Sequence, residues 1–211
     1  MLKQRIAVLV SGGGTNLQAL IDAEATGVLH SGTLALVVSS RAGAFALERA
    51  RAAGIETATA DRLLLGSREA FEQTVLSILA AHGIDVVVLA GFLQILSASF
   101  VAQYPKRILN VHPSLIPAYC GKGYYGIKVH EAVLAAGEPV TGATVHMVNE
   151  VPDGGRILMQ KTVPVLPGDT PVMLQQRVME QAEWQLLPAA TELVCAERIK
   201  QGETKHTHGT R

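Results

Sequence analysis

Cysteine is scarce in this 211-residue chain: Cys120 and Cys195 are the only two, and no Cys-x-x-Cys or Cys/His ligand spacing accompanies them. That absence excludes a disulfide framework and a thiolate zinc site, and it leads to the expectation of a reduced, cytoplasmic protein with no metal. Excess charge of either sign is lacking too, since 18 Lys and Arg balance 18 Asp and Glu. Such a chain has no long-range pull toward nucleic acid or an anionic membrane, so any anionic ligand must be held by local geometry. Long apolar runs are also missing. The stretch from Ile84 to Leu96 is interrupted by Asp85, Gly91 and Gln94, and falls well short of the roughly 20 residues a spanning helix needs. The start, MLKQRIAVLVSGGG, has a positive flank but too short an apolar segment for a secretory signal, so neither export nor membrane insertion is expected.

What remains is a chain that is 48% hydrophobic, long enough to bury roughly 70% of its unfolded surface around a core of its own. Strand-like and helix-like segments alternate through the first half. RIAVLVS (5–11) predicts a strand, TNLQALIDAEATG (15–27) a helix capped by Thr15 or Asn16, and TLALVVSS (33–40) the next strand. GAFALERARAAG (43–54) predicts a helix, IETATA (55–60) a short strand, and SREAFEQTVLSILAAHG (67–83) a helix opened by Ser67. IDVVVLAG (84–91) follows as a strand buried on both faces. Later come a helix near 127–137, two strands in 140–150 and 156–166 joined by VPDGG, and a helix from about 170 that Pro188 should break or kink. The expected fold is α/β, a single-domain doubly wound, mostly parallel sheet over residues 1–198, with 199–211 as a mobile tail.

Three stretches carry chemistry. VLVSGGGTNLQAL (8–20) puts three glycines between a strand and a helix, where free N–H groups suit a phosphate. It fails the dinucleotide fingerprint, because the third glycine would fall at Leu17, and it lacks the phosphate-loop lysine. A tight turn without a ligand is the alternative. RILNVHPSLIPAY (107–119) ends a strand on Asn110 and His112, whose side chains point to the same side of an extended chain. An amide can donate to a carbonyl oxygen that gains negative charge, and an imidazole can pass a proton, so the pair suits acyl chemistry. No Ser or Cys stands ready as a nucleophile, which favours direct attack by a bound amine or water. In HMVNEVPDGG (146–155), Asp153 sits on a tight turn; it either bonds its own backbone or, brought near His112, stabilises the imidazolium.

Together VLVSGGGTNLQALID, AFALERARAAGI, DVVVLAGFLQILS, ILNVHPSLIPAY, GATVHMVNEVPDGG and PVLPGDTPVMLQQRV, in that order, resemble the phosphoribosylglycinamide formyltransferase family, folate-dependent enzymes of purine synthesis. The resemblance implies a Rossmann-like formyltransferase fold and transfer of the formyl group of 10-formyltetrahydrofolate to the amine of glycinamide ribonucleotide. It implies catalytic roles for Asn110, His112 and Asp153, and ribonucleotide contacts from Gly14, Thr15, Asn16 and Glu183. It further implies contacts to the reduced folate from Arg68, Leu93, Gln94, Ile95, Leu96 and Asn110. The implied partners are small molecules, not nucleic acid or membrane; the oligomeric state stays open.

The chain departs from the commoner pattern in places. Gly91-Phe92-Leu93-Gln94 stands where many members read Gly-Phe-Met-Arg, leaving Lys122, Lys128 or Arg68 to supply positive charge for the folate's glutamate tail. Lys128 replaces a frequent histidine, and CGKGYYG (120–126) is a longer loop than in many members. Glu183 matches the expected ribose ligand only with one extra residue before it, and one residue turns a helix by about 100°. Either Glu183 faces elsewhere or the helix is irregular. The rivals are a formyltetrahydrofolate hydrolase, expected to carry an extra amino-terminal domain, and a methionyl-tRNA formyltransferase, expected to carry a basic carboxyl-terminal one. A non-catalytic nucleotide-binding module is the rival from another class.

Overall fold

The computed structural model describes residues 3–207. Its strands are β1 (Gln4–Val10), β2 (Gly32–Ser39), β3 (Glu56–Thr59), β4 (Val86–Leu89), β5 (Ile108–His112), β6 (Val140–Met147) and β7 (Ile157–Pro164). The helices are α1 (Thr15–Ala25), α2 (Phe45–Ala52), α3 (Arg68–Ala81), α4 (Ala98–Gln103), α5 (Ile127–Ala135), α6 (Pro171–Val178) and α7 (Trp184–Thr207). All seven strands join one sheet in the order β3-β2-β1-β4-β5-β6-β7. The first five are parallel, while β6 runs antiparallel to both β5 and β7. This is the doubly wound, mostly parallel sheet that the alternation predicts. The β6–β7 connection is too short for the crossover that parallel strands need, so that pair is antiparallel.

Period-two alternation in β1 loads both faces of the sheet. Ile6, Val8 and Val10 pack with Leu17, Leu20, Leu47, Leu187 and Val194 on one side. Ala7 and Leu9 pack with Phe71, Val75, Leu79 and Phe100 on the other. A strand covered on both sides needs an unbroken apolar run, which is what the sequence supplies. Val133, Ala143, Val163, Leu174, Val178 and Ala182 form a smaller cluster under α5 and α6. Ser67 caps α3 as expected, its Oγ accepting from the Ala70 amide at 3.0 Å.

The last helical segment differs from its expectation. Pro188 ends nothing: α7 runs through it to Thr207, and the break in regularity lies earlier, in a π-helical turn over Met179–Glu183. Leu187, Ala190, Val194 and Cys195 are fixed in the main core, and that packing offsets the roughly 3 kcal/mol that an interior proline costs. The expected boundary at 198 coincides with no break in α7; of the expected tail 199–211, residues 208–211 lie outside the described residues. Among the described residues no helix is long and apolar enough to cross a membrane.

Because β1 leads outward to β2 and β3 and the chain then returns to β4 on the other flank of β1, the connections leaving β1 and β4 diverge. In open α/β sheets that divergence makes a crevice at the carboxyl ends of the strands.

Candidate active site

A crevice of about 730 Å³ occupies that position. Its walls are the β1–α1 loop with the start of α1 (Gly12–Asn16), the segment after β4, the end of β5, the loop around Gly121–Gly126, the turn around Asp153, and Glu183.

At one end lies the triple-glycine loop. Gly14 caps α1 in a left-handed conformation, φ 74°, without any side-chain cap. A Cβ there would sit 2.6 Å from the Ala46 Cβ, so both the backbone and the space require glycine. The expected capping by Thr15 or Asn16 does not occur, because Gly14 takes the cap position and both residues fall inside the helix. Thr15 Oγ1 meets Met179 Sδ at 3.7 Å, and Asn16 Nδ2 donates to Glu183 Oε2 at 2.6 Å. Glu183 stands in line with Asn16 because the π-helical turn just before α7 absorbs one additional residue. The helix is irregular, and the irregularity keeps the carboxylate in the site.

Glu183 is only 6% exposed, and burial pushes its carboxyl up to about 7 against the opposing pull of the Asn16 amide. A carboxyl whose pKa rises on folding favours the fold while protonated and loses that contribution as pH climbs through the raised value. Glu183→Gln should therefore melt at a higher temperature than wild type at pH 8 but close to it at pH 4, below the ordinary carboxyl value of 4.5, as thermal unfolding at the two pH values would reveal. An equal change at both would contradict the burial argument.

At the crevice's centre the pleat does what alternation predicts. Asn110 and His112 project from the same face of β5, and antiparallel pairing sets His146 of β6 directly opposite Asn110. Asn110 Nδ2 donates to Asp153 Oδ1 at 3.4 Å and lies 3.2 Å from His146 Nε2. Asp153 Oδ2 is 3.6 Å from His112 Nδ1, and its Oδ1 is 3.5 Å from His146 Nε2. The Gly121 amide donates to Asp153 Oδ2 at 2.8 Å. His112 Nε2 donates to the Tyr119 carbonyl at 2.8 Å, and His146 Nδ1 donates to the Met147 carbonyl at 2.9 Å. A proton on His112 Nδ1 would thus face a carboxylate. Burial tends to raise the Asp153 carboxyl's pKa, but the hydrogen bond from His146, the charge of His112 and the Gly121 amide together hold it below its ordinary value.

The turn that delivers Asp153 depends on close backbone approach. Asp153 has φ 55°, and a Cβ on Gly155 would fall 1.7 Å from the Met147 carbonyl oxygen. The carboxylate therefore bonds across the crevice and not, as turn aspartates commonly do, to its own turn. His146 is the member of the cluster that sequence reasoning leaves without a role; only the strand pairing reveals it.

The expected folate contacts divide. Leu93, Gln94, Ile95 and Leu96 all line the crevice, with Leu93 and Ile95 exposed and Leu96 buried. Arg68 is not part of the wall. Its Nη2 donates to the Ile95 carbonyl at 2.9 Å and its Nε to Glu72 at 3.1 Å, so it braces the 93–96 segment. Glu72, buried beneath that segment, also accepts from the Ser97 amide at 2.7 Å and from the Ser97 hydroxyl. Of the three cations considered for a glutamate tail, Lys122 lines the crevice, whereas Lys128 stacks over Tyr125 at 4.7 Å.

The family model described as formyl transferase matches residues 4–191. The phosphoribosylglycinamide formyltransferase of Escherichia coli (strain K12) is 42% identical over 94% of this chain and 90% of its own length. A trifunctional purine biosynthetic protein adenosine-3 of Bos taurus is 42% identical over 95% of this chain, which spans only 19% of that relative. Among solved structures, glycinamide ribonucleotide transformylase 1 from Symbiobacterium toebii superposes with a TM-score of 0.86 at 40% identity, covering 93% of this chain and 89% of that one. The phosphoribosylglycinamide formyltransferase from Brucella melitensis gives 0.84 at 39% identity, covering 92% and 97%.

Proposed function

From the premise that this chain belongs to the formyl transferase family, matched over residues 4–191, we propose that it transfers the formyl group of 10-formyltetrahydrofolate to the amine of glycinamide ribonucleotide. The observation that carries the reading is the convergence of Asn110, His112 and Asp153, at 3.4 and 3.6 Å from the carboxylate, in a crevice that also opens onto the glycine loop. The amides of that loop and the start of α1 receive the phosphate. Glu183 and the buried Asn16 Oδ1, which has no partner among the described residues, accept from ribose hydroxyls. The folate lies along residues 93–96.

The amine attacks the formyl carbon, and the carbonyl π electrons move onto oxygen. Asn110 donates an N–H to that oxyanion, and protonated His112 balances its charge. The attacking nitrogen loses a proton, the departing folate nitrogen gains one, and the carbon–nitrogen bond to tetrahydrofolate breaks as the carbonyl re-forms. His112 relays the proton while Asp153 keeps the imidazolium paired. No side-chain nucleophile enters the scheme.

Deformylation of a 10-formylfolate analogue, followed by absorbance with and without glycinamide ribonucleotide, tests it. Turnover that requires the nucleotide is expected. Turnover independent of any amine would mean that water is the acceptor and the enzyme a hydrolase; no turnover in either case would leave a nucleotide-binding module.

A further inference from the structure

We infer that Arg49, on α2, is a positioning residue for the nucleotide phosphate: it holds the glycine loop from behind so that the amides of the loop face the crevice. The inference rests on the reading above that this loop binds phosphate, and it adds a residue that lies outside the crevice wall.

In a trans peptide the carbonyl of one residue and the N–H of the next point in opposite directions. The Gly12 carbonyl accepts from the Ala46 amide at 3.0 Å, and the Gly13 carbonyl accepts from Arg49 Nε at 2.9 Å. Both carbonyls thus point toward α2, which turns the Gly13 and Gly14 amides away from it. Gly12, Gly13 and Gly14 line the crevice whereas no residue of α2 does, so away from α2 means toward the ligand. The Gly14 carbonyl accepts from the Gln18 amide at 2.9 Å within α1, so the Thr15 amide points out of the N-terminal end of α1, where Gly12 to Asn16 line the crevice.

Three features make Arg49 more than a surface contact. Its Nη1 donates to Gln18 Oε1 at 3.0 Å, so a single guanidinium ties the loop to α1 as well as to α2. Gln18 is itself oriented, its Nε2 donating to Asp22 Oδ1 at 2.9 Å. Arg49 also lies over the Phe45 ring, 5.1 Å from its centroid, which limits its swing. Glycines are the most permissive residues of the backbone. Without an outside hold, a run of three would sample orientations in which carbonyl oxygens, not amides, face a phosphate. A lysine could reach one carbonyl but could not supply the fixed two-nitrogen fork.

The test compares Arg49→Met and Arg49→Lys with wild type, using glycinamide ribonucleotide and its dephosphorylated ribonucleoside as alternative acceptors, together with thermal melting. For Arg49→Met the nucleotide KM should rise roughly tenfold, the weight of one hydrogen bond to a charged group, while kcat, folate KM and ribonucleoside KM stay within about twofold. Arg49→Lys should fall between. A lowered melting temperature with an unchanged nucleotide KM would overturn the positioning role and leave the phosphate site standing. A wild-type enzyme that does not distinguish nucleotide from ribonucleoside would remove the phosphate site and this inference with it.

Discussion

His112→Ala should lower kcat by about 10²- to 10⁴-fold, the range for losing a positioned proton-transfer group, with little change in nucleotide KM. The separation of effects follows from where the groups sit. The glycine loop hangs from β1 and α1, while His112 ends β5 and touches Asp153 and the Tyr119 carbonyl. Alanine removes both contacts, so it also frees the loop after Pro113, and folate KM should rise. His112→Gln isolates the chemistry, because a glutamine amide can still donate to the Tyr119 carbonyl yet cannot carry a proton. It should be about as slow as alanine while keeping a more nearly native folate KM. Steady-state kinetics with both substrates varied would measure this; a kcat near wild type in the glutamine variant would remove His112 from the proton-transfer step.

Asp153→Asn is the second large effect, and hydrogen-bond direction explains its size. The carboxylate accepts from the Gly121 amide on one oxygen and from Asn110 on the other. An asparagine has one acceptor and one donor end, so one of these N–H groups must meet another N–H. The substitution also strips the negative charge from beside His112 and His146. A fall in kcat of about 10²- to 10⁴-fold is expected, its upper end being the cost of the same change beside the histidine of a serine protease triad. The pH–rate profile should change, since the carboxylate beside His112 and His146 is gone. The wild-type carboxyl is held below its ordinary value, so its contribution to stability is present above the unfolded pKa and is lost as pH falls through the folded one. The variant should therefore show a weaker acid dependence of melting. An unchanged pH–rate profile would return Asp153 to a purely structural part in its turn.

Much of the architecture was legible because its signals are local. Unbroken apolar runs mark β1 and β4, Ser67 marks the start of α3, and glycines between strand and helix mark the loop from β1 to α1. The six-residue α4 escaped, being too short to display a period. Pro188 misled, since its local cost is outweighed by the core packing of Leu187 and Ala190, which no single segment reveals. Arg68 is a different case: its residue type suits an anion, while its bonds to buried Glu72 and to the Ile95 carbonyl are visible only in the structure.

By itself, then, the order of residues determined that Asn110 and His112 share a side, because adjacent side chains of a strand alternate regardless of what surrounds them. It likewise determined that the backbone between β1 and α1 is bare enough to approach a ligand. Only the tertiary structure decided that Asp153 reaches across from another turn, that His146 stands opposite Asn110, and that a π-helical turn keeps Glu183 against Asn16. Those outcomes depend on sheet pairing and helix packing between residues 36 to 167 positions apart. The period of a single element carries no information at that range.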